Sequence, residues 1–155
     1  LESWKADLVR AGEEGRNPLT EKYGYMMCIS DPEGNAETAR RLPQVSTEKR
    51  ETARRIVDRL IPQNEVFRAR YPRISDRGRP LRTSEEPVAG WTSIETYELG
   101  ELWTYSQKTL ELFEANLDSF EKEGRSYPET VVENGLKLRG FLSLEQAEAI
   151  LAKQG

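Results

Sequence analysis

The stretch SIETYELGELWTYSQKTLELFEANLDSFEK, residues 93–122, decides the fold. Leu99, Leu102, Trp103, Ser106, Leu110, Phe113, Leu117 and Phe120 fall in one broad arc when the residues are plotted at about 100° each, the pattern of an amphipathic helix. It predicts a long central helix over about 93–122. Downstream, the SYPET turn leads to a short helix at 131–138, with Gly135 its weak point and Gly140 its end. Ser143 and Gln146 match a capping box that opens a final helix through Ala147 and Ile150.

Working back toward the start, YPRISDRGRPLRTSEEPVAGWT at 71–92 is the least helical part and is expected to be a long basic loop. Before it, Ser46 or Thr47 can cap a helix whose Ala53, Ile56, Val57, Leu60 and Ile61 recur at helical intervals. Pro62 is expected to end or kink that helix, with a further turn to about residue 69. A short helix at 36–41 stops at Pro43. Asn17 and Pro18 form a cap and first-turn pair for a helix carrying Leu19, Tyr23, Met26 and Met27. Gly24 weakens that helix by about 1 kcal/mol relative to Ala, which predicts a close packing contact. Trp4, Leu8 and Ala11 mark a first helix over 1–14. No segment alternates as a strand does. The expected fold is therefore all-α, a compact single domain over 1–155 of about five or six helices around the central one.

Composition removes several chemistries. The 155 residues contain no His, so no histidine-bearing triad and no His-ligated zinc or di-iron site can form. The single Cys28 excludes an intrachain disulfide and a thiolate-only metal site, and is expected to be a small buried filler in a reducing compartment. No cofactor or metal is expected. There is no 18-residue apolar run and no signal-peptide pattern, so the expectation is a cytoplasmic protein with no membrane association. Residues 36–82 carry 13 basic and 6 acidic groups, whereas 83–155 carry 6 and 14. Nucleic acid is not an expected partner, because the net charge is −4 and no recognition motif accompanies the arginines.

Chemistry concentrates at 92–106, TSIETYELGELWTYS. Glu95 points along the apolar arc, toward a core or cleft. Thr92 and Glu95 also fit a capping box, which alone would account for both, so capping and acid–base work stay open for Glu95. Glu98 lies at the edge of the arc, Tyr105 shares its direction, and Glu101 turns further toward solvent. Tyr97 and Tyr105 are either packing residues or ligand contacts. A second cluster is Lys22 with Tyr23 and Tyr25, where the ammonium either stabilises an anionic oxygen or lies over an apolar stripe. In the basic segment, Arg77 and Arg79 suit bidentate binding of a carboxylate or phosphate.

NPLTEKYGYMM at 17–27, YPRISDRGRP at 71–80, TSIETYELGELWTYSQKTLELF at 92–113 and GFLSLEQAE at 140–148 together resemble a bacterial family known only as a domain of unknown function. The likeness covers nearly the whole chain. It is carried best by the Lys-Tyr-x-x-Met-Met and Thr-Ser-x-Glu-Thr-Tyr-x-x-Gly-Glu-Leu-x-Thr-Tyr-Ser patterns. The resemblance implies further helical sequence upstream of Leu1, with this chain as the C-terminal part of a longer protein. It also singles out Lys22, Tyr23, Glu95, Tyr97, Glu101, Tyr105 and Ser106, without giving them roles.

Two functions compete. The first is a polar site for an anionic small molecule or peptide between the Lys22 helix, the basic loop and the start of the Glu95 helix. There, metal-independent acid–base chemistry would use Glu95 as acid or base, Arg77 or Arg79 to orient a carboxylate, and Lys22 with Tyr105 to stabilise charge. Tyr23, Tyr97, Glu98, Glu101 and Ser106 complete the candidate ligand contacts. The second is a non-catalytic interaction domain that docks on a protein partner or forms a homo-oligomer.

Overall fold

Serine and asparagine side chains set most of the helix starts. The computed structural model describes residues 1–76 and 78–153, and among these it contains ten α-helices and one 3-10 turn. They are α1 (Glu2–Glu13), α2 (Pro18–Ser30), α3 (Ala36–Arg41), α4 (Thr47–Arg70), α5 (Pro72–Ser75), the 3-10 turn Thr83–Glu85, α6 (Glu86–Ala89), α7 (Ile94–Leu102), α8 (Gln107–Lys122), α9 (Tyr127–Leu138) and α10 (Leu144–Ala152). Asn17 accepts from Leu19 N and Thr20 N at the start of α2. Ser46, Ser93, Ser106, Ser126 and Ser143 accept one backbone N–H each at the starts of α4, α7, α8, α9 and α10. Each such cap is worth about 1 kcal/mol.

The fold is all-α as expected, and the described residues form ten helices where about five or six are expected. The expected central helix over 93–122 is two helices, α7 and α8, separated by a turn at Trp103–Tyr105. Side chains stabilise that break. Thr104 Oγ1 donates to Glu101 O at 2.7 Å, Lys49 Nζ donates to the freed Trp103 carbonyl at 3.1 Å, and Ser106 caps α8. Asp7 reaches across from α1 to accept from Ser106 N at 2.9 Å and Thr109 Oγ1 at 2.7 Å. Its carboxylate thus sits at a helix N-terminus, where negative charge is favoured. The most prominent helix is α4, whose 24 residues span about 36 Å. It runs through Pro62 to Arg70 instead of ending there.

Two apolar clusters lie along α4. Ala53, Ile56, Val57, Leu60 and Ile61 pack with Leu99 and Leu102 of α7 and Leu110 and Leu117 of α8. Farther on, Phe67 and Tyr71 pack with Leu144 of α10, flanked by Ile74, Val132 and Leu136. Segment 71–92 is not one loop. It holds α5, the 3-10 turn and α6, and its Pro80 and Leu81 carbonyls accept from the first two amides of α7, Ile94 N and Glu95 N.

Two glycines fix how α2 sits. A Cβ at Gly24 would lie 2.8 Å from Leu42 Cδ2, the close contact its presence predicts. A Cβ at Gly100 would lie 3.1 Å from Lys22 O and 3.4 Å from Met26 N. Hence α2 and α7 meet nearly backbone to backbone, the most extensive helix pairing in the fold. No helix among the described residues is long and apolar enough to cross a membrane.

Candidate functional site

The close approach at Gly100 carries Lys22 of α2 onto α7. Lys22 is 8% exposed, and its Nζ lies 2.5 Å from Glu101 Oε2 and 3.5 Å from the centre of the Tyr97 ring. Burial alone would lower its pKa, but Glu101 and Tyr97 outweigh that and raise it, so the ammonium persists. The other Glu101 oxygen accepts from Tyr105 Oη at 2.8 Å. Burial, then the Glu101 charge, pushes the Tyr105 phenol far up, so it remains a donor.

Glu98 lies beside this chain of contacts and shares in none of them. Among the described residues its carboxyl makes no hydrogen bond and no ion pair, and the residue is half-buried. Burial first, then repulsion from Glu101, raises its pKa to about 7, with Lys22 pulling the other way. Tyr127, at the start of α9, is raised by burial and by the Glu98 charge, which places its phenol within reach of the same field. The combination is an ammonium, a held carboxylate, two phenols and one carboxyl that exchanges its proton near neutrality. A crevice of about 170 Å³ between Trp4, Leu8 and Leu19 reaches Lys22, Glu101 and Tyr105 of this group, and Glu98 and Tyr127 lie off its lining.

The remaining sequence candidates separate from this cluster. Glu95 accepts from Thr83 N at 2.9 Å and pairs with Arg54 at 2.6 Å, tying the 3-10 turn and α4 to the start of α7. Burial opposes ionisation there, but Thr83 and Arg54 win, and its pKa falls. The cap of α7 is Ser93, not Thr92, because the helix begins one residue later than the capping-box spacing predicts. Ser106 serves as the cap of α8. Tyr23 points outward, 53% exposed. Arg79 Cζ lies 5.1 Å from the Tyr97 ring centre, and its NH1 donates to Thr92 O. Arg77 lies outside the described residues.

Asp7, Trp4, Gly100 and Tyr127 were not among the sequence candidates. Asp7 had a legible signal: it falls three residues after Trp4 and four before Ala11, a carboxylate on the apolar stripe of α1. Among the described residues no three Cys, Asp or Glu side chains converge as metal ligands.

Fold and cluster together define an all-helical protein that buries ionisable groups at a helix–helix contact. The chain belongs to the family described as Protein of unknown function (DUF4125), which it matches over residues 1–149. No curated protein and no solved structure matches it.

Proposed function

We propose that this protein holds a small anionic molecule on Lys22 in the crevice between α1, α2 and α7, and that Glu98, beside Lys22 and Glu101 though off the crevice lining, takes up or releases a proton as the molecule binds. The observation that carries this reading is Glu98 itself, a carboxyl pushed to about 7 with no hydrogen-bonding partner among the described residues, beside a buried ammonium. A pKa near the working pH is what general acid–base chemistry requires. Lys22 has three N–H donors; Glu101 takes one and the Tyr97 ring faces the ammonium, which leaves donor capacity for an anionic oxygen. Tyr105 fixes Glu101, so the ammonium is oriented before a ligand arrives. Acid–base work thereby moves from Glu95, whose carboxylate is committed to Arg54 and Thr83, to Glu98. Arg79, whose guanidinium carbon lies 5.1 Å from the centre of the same Tyr97 ring, is a second cation that would attract an anion toward Lys22.

A second reading, a non-catalytic interaction domain, draws on a different observation. Val9 on α1 and Leu19, Tyr23 and Met27 on α2 are each more than half exposed. Native mass spectrometry of the gently purified full-length gene product separates the two, with denaturing spectra as control. A stoichiometric anionic molecule that is lost on denaturation, and is absent from the Lys22→Met variant, supports the site. Ligand-free chains at several oligomeric states support docking instead.

A further inference from the structure

A second cavity, larger than the crevice at Lys22, lies away from Glu98. It is a cleft of about 610 Å³ between the second half of α4, α5, α9 and the end of α10, within the range of small-molecule sites. Phe67, Ile74, Val132, Leu136 and Phe141 supply apolar walls. Among the described residues the cations on its lining are Arg68, Arg79 and Arg139, and no Asp or Glu lines it. Elsewhere Arg10, Arg16, Arg41, Arg54, Arg55, Arg59, Arg70, Arg82 and Arg125 pair with carboxylates, whereas Arg40, Arg50 and Arg73, like the cleft arginines, have no ion pair among the described residues.

Arg79 turns its guanidinium to Tyr97 and Thr92, so it contributes mainly its stem. Arg68 and Arg139 remain. Arg68 is half-buried and donates to the Arg79 carbonyl; among the described residues neither it nor Arg139 has an acid partner. Burial pulls the Arg68 pKa down, and the charge of Glu85 opposes it. Arg68 is thus partly desolvated with no carboxylate at ion-pairing distance among the described residues, Arg139 is exposed, and a ligand carboxylate would give both a charged partner. Gly135 adds an independent observation. It sits in the interior of α9, where glycine costs about 1 kcal/mol relative to Ala, and a Cβ there would meet nothing within 4 Å. The helix carries a weakening residue where it faces the cleft.

We infer that this cleft binds an amphipathic monocarboxylate, its apolar chain on the Phe67, Leu136 and Phe141 walls and its carboxylate on Arg68 and Arg139. Such a ligand satisfies both halves of the lining, as neither inorganic phosphate nor an uncharged alkane chain does. The inference does not depend on Glu98 or on the crevice at Lys22.

The test is isothermal titration calorimetry of the full chain with decanoate, decanol and inorganic phosphate, with circular dichroism confirming that each variant is folded. Decanoate should bind stoichiometrically, and about tenfold or more tighter than decanol, the difference expected for a charge-assisted pair. Arg68→Gln and Arg139→Gln should each weaken decanoate by about tenfold and leave decanol unchanged. Gly135→Met, which fills the cleft while improving helix propensity, should abolish decanoate binding without lowering the melting temperature. Equal binding of decanoate and decanol would overturn the inference. So would phosphate binding as tightly as decanoate, no decanoate binding at millimolar concentration, or undiminished binding by folded Gly135→Met.

Discussion

Replacing Glu98 with Gln should make this protein more stable, and only above a certain pH. In the folded chain Glu98 titrates near 7, against 4.5 for an unperturbed glutamate. The folded state therefore binds more protons than the unfolded state between those values, and stability falls as pH rises through that window. At about 1.36 kcal/mol per pH unit, the gap corresponds to about 3 kcal/mol. Below 4.5 both states carry the neutral acid, which Gln imitates in shape and charge. Glu98→Gln should then match the parent at pH 4.5 and exceed it by about 3 kcal/mol at pH 8, or about 6–12 °C in melting temperature for a chain of this length. Urea unfolding at half-unit steps from pH 4.5 to 8.5 measures the difference directly. Since the variant differs at one carboxyl, titration of the other acids largely cancels. A constant difference across the range would refute the reasoning. A variant less stable than the parent at pH 8 would refute it more strongly, because the ionised carboxylate would then have a partner that stabilises it.

Gly100→Ala should cost about 1–3 kcal/mol in the same urea assay, because its Cβ meets the backbone of α2. Gly24→Ala, which meets only the Leu42 side chain, should cost less. Asp7→Ala should cost about 1–2 kcal/mol at neutral pH through loss of its contacts with Ser106 and Thr109. Burial opposes the Asp7 charge but those two partners hold its pKa below 3.8, so this contribution is present above 3.8 and is lost as pH falls through the lower folded value; unfolding measured down to pH 3 should show the two proteins converging. Glu95→Ala should destabilise more than Arg54→Ala in thermal melts. The first leaves Thr83 N without its acceptor, at about 1–3 kcal/mol, while the second removes a half-exposed ion pair worth at most about 1 kcal/mol.

The sequence carries the local chemistry of this fold well. Asn17, Ser46 and Ser143 cap the helices they precede, because a cap depends on a few adjacent residues. The penalty of Gly24 likewise points to a contact, and Leu42 supplies it. The break at 103–105 is not legible in this way. Its stabilising groups are Lys49 and Asp7, respectively 54 and 99 residues from the atoms they bind. Apolar spacing continues across the turn as though nothing intervened. Of the site, Lys22, Glu101 and Tyr105 are brought together as their residue types favour, ammonium to carboxylate to phenol. Glu95 and Glu98 exchange characters. The angular position of Glu95 directs it inward, and it meets Thr83 and Arg54 there. Glu98, at the edge of the arc, has no hydrogen-bonding partner among the described residues.

That exchange follows from the surroundings of α7. This nine-residue helix packs against α2 on one side, α4 on another and the 3-10 turn near its start. Leu99 and Leu102 take the α4 side, Gly100 admits the backbone of α2, and Ser93 and Thr96 are fully buried toward the turn. A helix contacted on so many sides has little solvent face on which to place carboxylates. An arc computed from apolar residues assumes that the opposite face is wet, an assumption suited to α8 but not to α7. Two glutamates three residues apart share one side of such a helix. A single ammonium approaches that side, and Glu101 takes it. Glu98 is left with the desolvation and the repulsion, and its affinity for a proton rises accordingly. The perturbed carboxyl is thus a consequence of enclosing a short polar helix with one cation for two acids.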